Sequence, residues 1–129
     1  MAEHVYDSSD SCTGKNVAQE PLEYSIYSLL KKYQITITTA ESATGGMIAS
    51  TLINVPGISE FFTEGYVTYS NEAKVKMIHV APETIDTYGV VSSETAADMA
   101  SSAAKTAGTM AAVSVTGVAG PDGGTKECP

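Results

Sequence analysis

Ser42 lies in the run Thr39-Ala40-Glu41-Ser42-Ala43-Thr44-Gly45-Gly46, where a strand pattern gives way to a helix pattern. Glycines let backbone N–H groups approach a ligand closely, and a helix N-terminus favours negative charge. A hydroxyl and two glycines at such a turn suit a phosphate or the oxyanion of a tetrahedral intermediate, or else the turn only caps the helix. A serine is a weak nucleophile until a neighbour takes its proton. Of the two histidines, His4 lies in the polar N-terminal segment, and His79 follows a helix on its apolar side and reads as a partly buried packing residue. Lys74 is the better base. It falls in the first turn of a helix, where the dipole disfavours a cation and lowers the amine's pKa, while Glu72 opposes that shift. Tyr69 either relays the proton and orients the lysine, or is a strand residue with one wet end. Glu41 is a general acid/base or a carboxylate that holds the turn through backbone N–H groups, with the second role favoured. Asp122 reads as a turn residue.

These residues need elements to hold them. Residues 1–19 are polar without sustained periodicity and read as a flexible tail ahead of a single domain over 20–129. Pro21 opens a helix with Leu22, Ile26, Leu29, Leu30 and Tyr33 on one face, acidic near its start and with Lys31 and Lys32 near its end. Ile35 to Thr39 alternates with period two as a strand, and Met47, Ile48 and Leu52 give the helix spacing from about Gly46 to Asn54. Gly65 to Tyr69 reads as a second strand, and Ser70-Asn71-Glu72 caps a helix through Ile78. Pro82 starts a short helix closed by Gly89. Ser92-Ser93-Glu94 starts an alanine-rich one running to Ala107, with Gly108 as its C-cap. Ala111 to Thr116 is a third strand. This alternation predicts an α/β fold with a mostly parallel sheet. Ligands gather beyond the carboxyl ends of strands in such sheets. The Ser42 turn, Tyr69-Ser70-Asn71 and the loop from Gly117 to Gly124 all lie at those ends.

Composition narrows the function classes. The 129 residues carry a formal net charge of −8, with 15 acidic residues against seven lysines and no arginine. Nucleic-acid binding, which relies on neutralising phosphates, is therefore not expected. Any phosphate must be held by lysine, hydroxyls or backbone amides. Apolar stretches are too short for a membrane span, and the N-terminus lacks the blocks of a secretory signal, so a cytoplasmic protein is expected. Cys12 and Cys128 lie in polar segments at opposite ends, which gives neither a disulfide framework nor metal-ligand spacing. No metal or cofactor is expected.

The Ser42 run, Tyr69-Ser70-Asn71-Glu72-Ala73-Lys74 and Thr116-Gly117-Val118-Ala119-Gly120-Pro121-Asp122-Gly123-Gly124 together resemble the CinA C-terminal domain family, which includes nicotinamide mononucleotide amidohydrolases. Pro56-Gly57 and Gly89-Val90-Val91-Ser92 agree in order and spacing, so the resemblance covers about Leu22 to the C-terminus. It implies a three-layer α/β/α domain that hydrolyses the carboxamide of nicotinamide mononucleotide to nicotinate mononucleotide and ammonia, a step in pyridine nucleotide salvage. By that resemblance Ser42 is the nucleophile, and Tyr69 and Lys74 are its activating partners. Thr44, Gly45, Gly46, Asn71, Thr116, Gly117, Gly120, Gly123 and Gly124 surround the substrate. Two departures stand out. Ala43 replaces the cysteine that usually follows the serine, and the family's later strands and active-site arginine have no counterpart before Pro129. The domain therefore reads as C-terminally truncated. The alternative function is a catalytically silent nucleotide-binding or oligomer-forming member, and a homo-oligomer is expected in either case.

Overall fold

The computed structural model describes residues 19–121. The expected tail up to residue 18, with His4 and Cys12, lies outside the described residues, as do Asp122, Gly123, Gly124 and Cys128. Among the described residues five α-helices and three strands run in the order α1 (Leu22–Tyr33), β1 (Ile37–Glu41), α2 (Met47–Leu52), β2 (Gly65–Val67), α3 (Asn71–Ile78), α4 (Pro82–Tyr88), α5 (Ser93–Ala107) and β3 (Ala111–Val115). The strands form one parallel sheet in the order β2-β1-β3. All five residues of the central strand β1 are buried, as expected of a parallel strand covered on both faces.

Because side chains alternate along a strand, β1 feeds two cores. Ile37 joins Leu30, Leu52, Val55, Ile58, Phe61 and Phe62 beneath α1 and α2. Ala40 joins Ile78, Val80, Met99 and Ala103 beneath α3 and α5. Helices on both faces of a parallel sheet make the three-layer α/β/α arrangement. Among the described residues no helix is long and apolar enough to cross a membrane.

Element boundaries differ from expectation in instructive places. The first strand forms two residues late, because its ladder partners are Gly65–Val67 and Ala111–Val115. The second strand ends at Val67. The Thr68 amide still donates to the Glu41 carbonyl, but the Thr68 and Tyr69 carbonyls turn away from the ladder towards Lys74. In α1 the buried flank is Ile26, Tyr27 and Leu30, whereas Leu22, Leu29 and Tyr33 on the adjoining stripe are exposed. A 3-10 turn over Ile58–Glu60 buries Ile58 and leads into Phe61 and Phe62; its three residues are too few for a periodic signal. His79 is exposed rather than a packing residue. It takes a left-handed conformation (φ 63°) as the C-cap of α3, where its N–H donates to the Lys74 and Val75 carbonyls and its ring leaves the apolar side.

Gly65 marks the tightest point between β1 and β2. A Cβ there would lie 2.5 Å from Thr39 Oγ1 and 3.1 Å from the Phe62 ring. Thr39 is fully buried in the central strand and cannot retreat. Gly65→Ala is expected to destabilise the domain by about 1–3 kcal/mol, the usual cost of overpacking a core. A lowered urea midpoint with an unchanged slope is the measurement that checks it.

Candidate active site

The three strands end together, and the loops beyond them enclose a cavity of about 360 Å³. Ser42 and Ala43 line it from the end of β1, Tyr69 and Asn71 from the end of β2, and Thr116 to Ala119 from the end of β3. Val90 and Val91 complete the wall. The Thr116 hydroxyl donates to the Val90 carbonyl at 2.7 Å, tying the β3 loop to the segment before α5.

Ser42 is held by its backbone. Its N–H donates to the Val115 carbonyl at 3.0 Å and its carbonyl accepts from the Gly45 N–H at 3.0 Å. Only 6% of the residue is exposed. Lys74 lies beneath it with no exposed surface, and its Nζ is 3.2 Å from Ser42 Oγ. Nζ also reaches the Thr68 carbonyl at 2.8 Å and the Tyr69 carbonyl at 3.5 Å. Two of the three partners are carbonyl oxygens, which can only accept. An ammonium can donate to all three; a neutral amine can donate to the two carbonyls and keep its lone pair for the Ser42 hydroxyl.

Burial lowers the Lys74 pKa, and among the described residues no neighbouring charge offsets it. The sequence leaves the net shift open between the helix dipole and Glu72; the structure supplies a different cause, desolvation, which lowers the value. Glu72 does not oppose it. That carboxyl is exposed and is held below its ordinary value by its own backbone N–H and by Ser70.

The glycine turn is used differently from expectation. Glu41 is fully buried, and its Oε2 accepts from Thr44 Oγ1 at 2.6 Å, the Ile48 amide at 3.0 Å and the Gly46 amide at 3.1 Å. Its Oε1 accepts from the Ala49 amide at 2.8 Å. Burial alone would raise this carboxyl, but the Thr44 hydroxyl and the three amides outweigh it and hold the pKa below the ordinary value. Of the two roles considered for Glu41, holding the turn is the one the geometry displays. Gly46 sits at φ 106°, a conformation that favours glycine. The expected substrate residues Thr44 and Gly46 therefore face Glu41, and Thr44 borders a separate apolar hollow between α1 and α2. Gly45 and Gly120 do not line the Ser42 cavity, whereas Asn71, Thr116 and Gly117 do.

Tyr69 is 75% exposed and borders the cavity, and among the described residues its hydroxyl bonds to neither Ser42 nor Lys74. Its carbonyl is what meets the lysine. Tyr69→Phe is accordingly expected to lower kcat less than about tenfold, far less than removal of a general base. Steady-state kinetics of that variant check this. Thr68, Val90 and Val91 were not anticipated at the site. Thr68 acts through its backbone carbonyl, which has no side-chain signature. Among the described residues no group of three or more His, Cys, Asp or Glu side chains could hold a metal ion.

A family model described as the CinA C-terminal domain matches residues 19–129. A CinA-like protein of Kosmotoga olearia is 54% identical over 113 residues, 88% of this chain and 27% of that protein. The structure of competence/damage inducible protein CihA from Agrobacterium tumefaciens superposes with a TM-score of 0.76 at 43% identity, covering 84% of this chain and 66% of that one. A competence-damaged protein (CinA) superfamily protein from Escherichia coli gives 0.80 at 33% identity, covering 92% and 69%. The chain spans 26–29% of the length of eight curated relatives it matches.

Proposed function

The chain belongs to the CinA C-terminal domain family, and on that premise we propose that it is an amidohydrolase converting nicotinamide mononucleotide to nicotinate mononucleotide and ammonia. The observation that carries the reading is the 3.2 Å contact between Ser42 Oγ, on a residue that lines the cavity, and the Nζ of Lys74 buried behind it. Ser42 Oγ attacks the carboxamide carbon while its proton passes to the neutral Lys74 amine. The C–N bond of the tetrahedral intermediate breaks, and Lys74 returns the proton to the leaving nitrogen, which departs as ammonia. Water then attacks the acyl-serine, Lys74 takes a proton from the water, and that proton restores the Ser42 hydroxyl as nicotinate mononucleotide leaves. Ala43, the residue after the nucleophile, borders the same cavity, and its backbone N–H is the candidate donor to the developing oxyanion. The Tyr69 carbonyl assists by orienting the lysine.

Incubation of the purified protein with nicotinamide mononucleotide tests this reading. Equal yields of ammonia and nicotinate mononucleotide are expected, and a folded protein that forms neither contradicts it. A second reading is nucleotide binding without turnover, in which the hydroxyls and amides that line the cavity, Ser42, Asn71 and Thr116 among them, hold the ligand as neutral donors. That reading predicts a saturable heat of binding by calorimetry with no ammonia released.

A further inference from the structure

We propose that Glu41 is a positioning residue, whose carboxylate takes the place of a bound anion at the start of α2 and so fixes the turn that aims Ser42 Oγ at Lys74. The inference rests on the amidohydrolase reading for its catalytic consequence, but not for its geometry. Glu41 is the last residue of β1 and immediately precedes Ser42. Its carboxylate gathers four donors from the Ser42 turn and from the first turn of α2. A buried carboxylate with four donors is satisfied internally, so these amides are not available to a substrate phosphate.

The backbone of Glu41 is tied into the same network. Its carbonyl accepts from the Thr68 N–H at 2.8 Å, and the Thr68 carbonyl accepts from Lys74 Nζ at 2.8 Å. Lys74 then reaches Ser42 Oγ at 3.2 Å. Nucleophile and base are thus joined by a closed path through Glu41 and Thr68. The side chain of Glu41 adds what the backbone of Ser42 does not supply: through Thr44 and Gly46 it ties the turn that follows Ser42 back to the end of β1. Loosening it changes where Oγ points without removing any group that touches substrate.

Glu41→Gln tests the proposal, because it keeps the volume but sets an NH₂ group among N–H and O–H donors. The expected result is a folded protein whose kcat falls roughly 10- to 100-fold, the cost of misplacing a reacting group. KM should stay within about threefold, since no binding contact is removed. Labelling of Ser42 by a fluorophosphonate should slow in parallel, and a crystal structure of the variant should show Oγ beyond 3.5 Å from Nζ. Should Glu41→Gln fail to fold, Thr44→Val removes a single donor and is expected to slow labelling by a smaller factor. Wild-type labelling rates and an unchanged Oγ–Nζ contact in a folded Glu41→Gln or Thr44→Val would overturn the proposal. The labelling and the contact do not depend on which amide is the substrate. Wild-type protein that labels yet releases no ammonia counts against the amidohydrolase reading, while the variant's labelling still decides the role of Glu41.

Discussion

Ser42→Ala is expected to lower the rate of ammonia release from nicotinamide mononucleotide by roughly 10⁴-fold or more, as when the nucleophile of a covalent mechanism is removed. The fold should survive the change. The backbone bonds that hold residue 42, to the Val115 carbonyl and from the Gly45 N–H, do not involve the side chain. Among the described residues the hydroxyl's one hydrogen-bonding partner is Lys74. Steady-state kinetics together with a circular-dichroism melt separate loss of chemistry from loss of structure. A variant with a native melt and a rate within about tenfold of wild type would rule out an attacking serine.

Lys74→Met carries the second large effect, a loss of about 10²–10⁴-fold for a general base that also serves as the acid. Stability should move little. The Thr68 carbonyl loses its Nζ donor, a cost of about 1–3 kcal/mol, but methionine fills the space and removes an amine that burial disfavours as a cation. The pH dependence follows from the same burial. Because the amine must be neutral to accept the serine proton, kcat/KM should rise with pH through the lowered Lys74 value and level off before the ordinary lysine value of 10.5.

Stability follows the same sign. Between the folded Lys74 value and 10.5 the unfolded chain holds the proton that the folded chain has released, so unfolding free energy increases with pH across that window. The contribution is fully present above 10.5 and is lost as pH falls through the folded value. Denaturation of wild type and Lys74→Met across alkaline pH should show this slope only in the wild type.

Much of the frame is legible in the residues themselves. Ser70, Pro82, Ser92 and Gly108 mark helix ends where the structure has them, because capping depends on local geometry. The parallel sense of the sheet follows from the alternation of strand and helix patterns, whereas the strand order β2-β1-β3 is not written there. Boundaries that depend on partners were less legible. The first strand shifts to Ile37–Glu41 because register is a property of the pair, and α1 rotates because the core beneath it decides which flank is buried.

The site divides in the same way. Ser42 and Lys74 stand out by residue type, and α3 brings them together across 32 positions. The desolvation of Lys74 is tertiary, and a first-turn lysine otherwise reads as a surface residue. The use of the glycine turn to hold Glu41 is legible only once the carboxylate is seen to be buried. Nothing in the residue type of Thr68 announces a backbone carbonyl that anchors the base.

The most direct test of the Ser42–Lys74 mechanism is rapid-quench mass spectrometry of the protein turning over nicotinamide mononucleotide, with hydroxylamine present in a parallel sample. An acyl adduct on the peptide containing Ser42, and a hydroxamate of the product in the hydroxylamine sample, are the predicted results. Ammonia release with neither adduct nor hydroxamate would contradict a covalent serine mechanism.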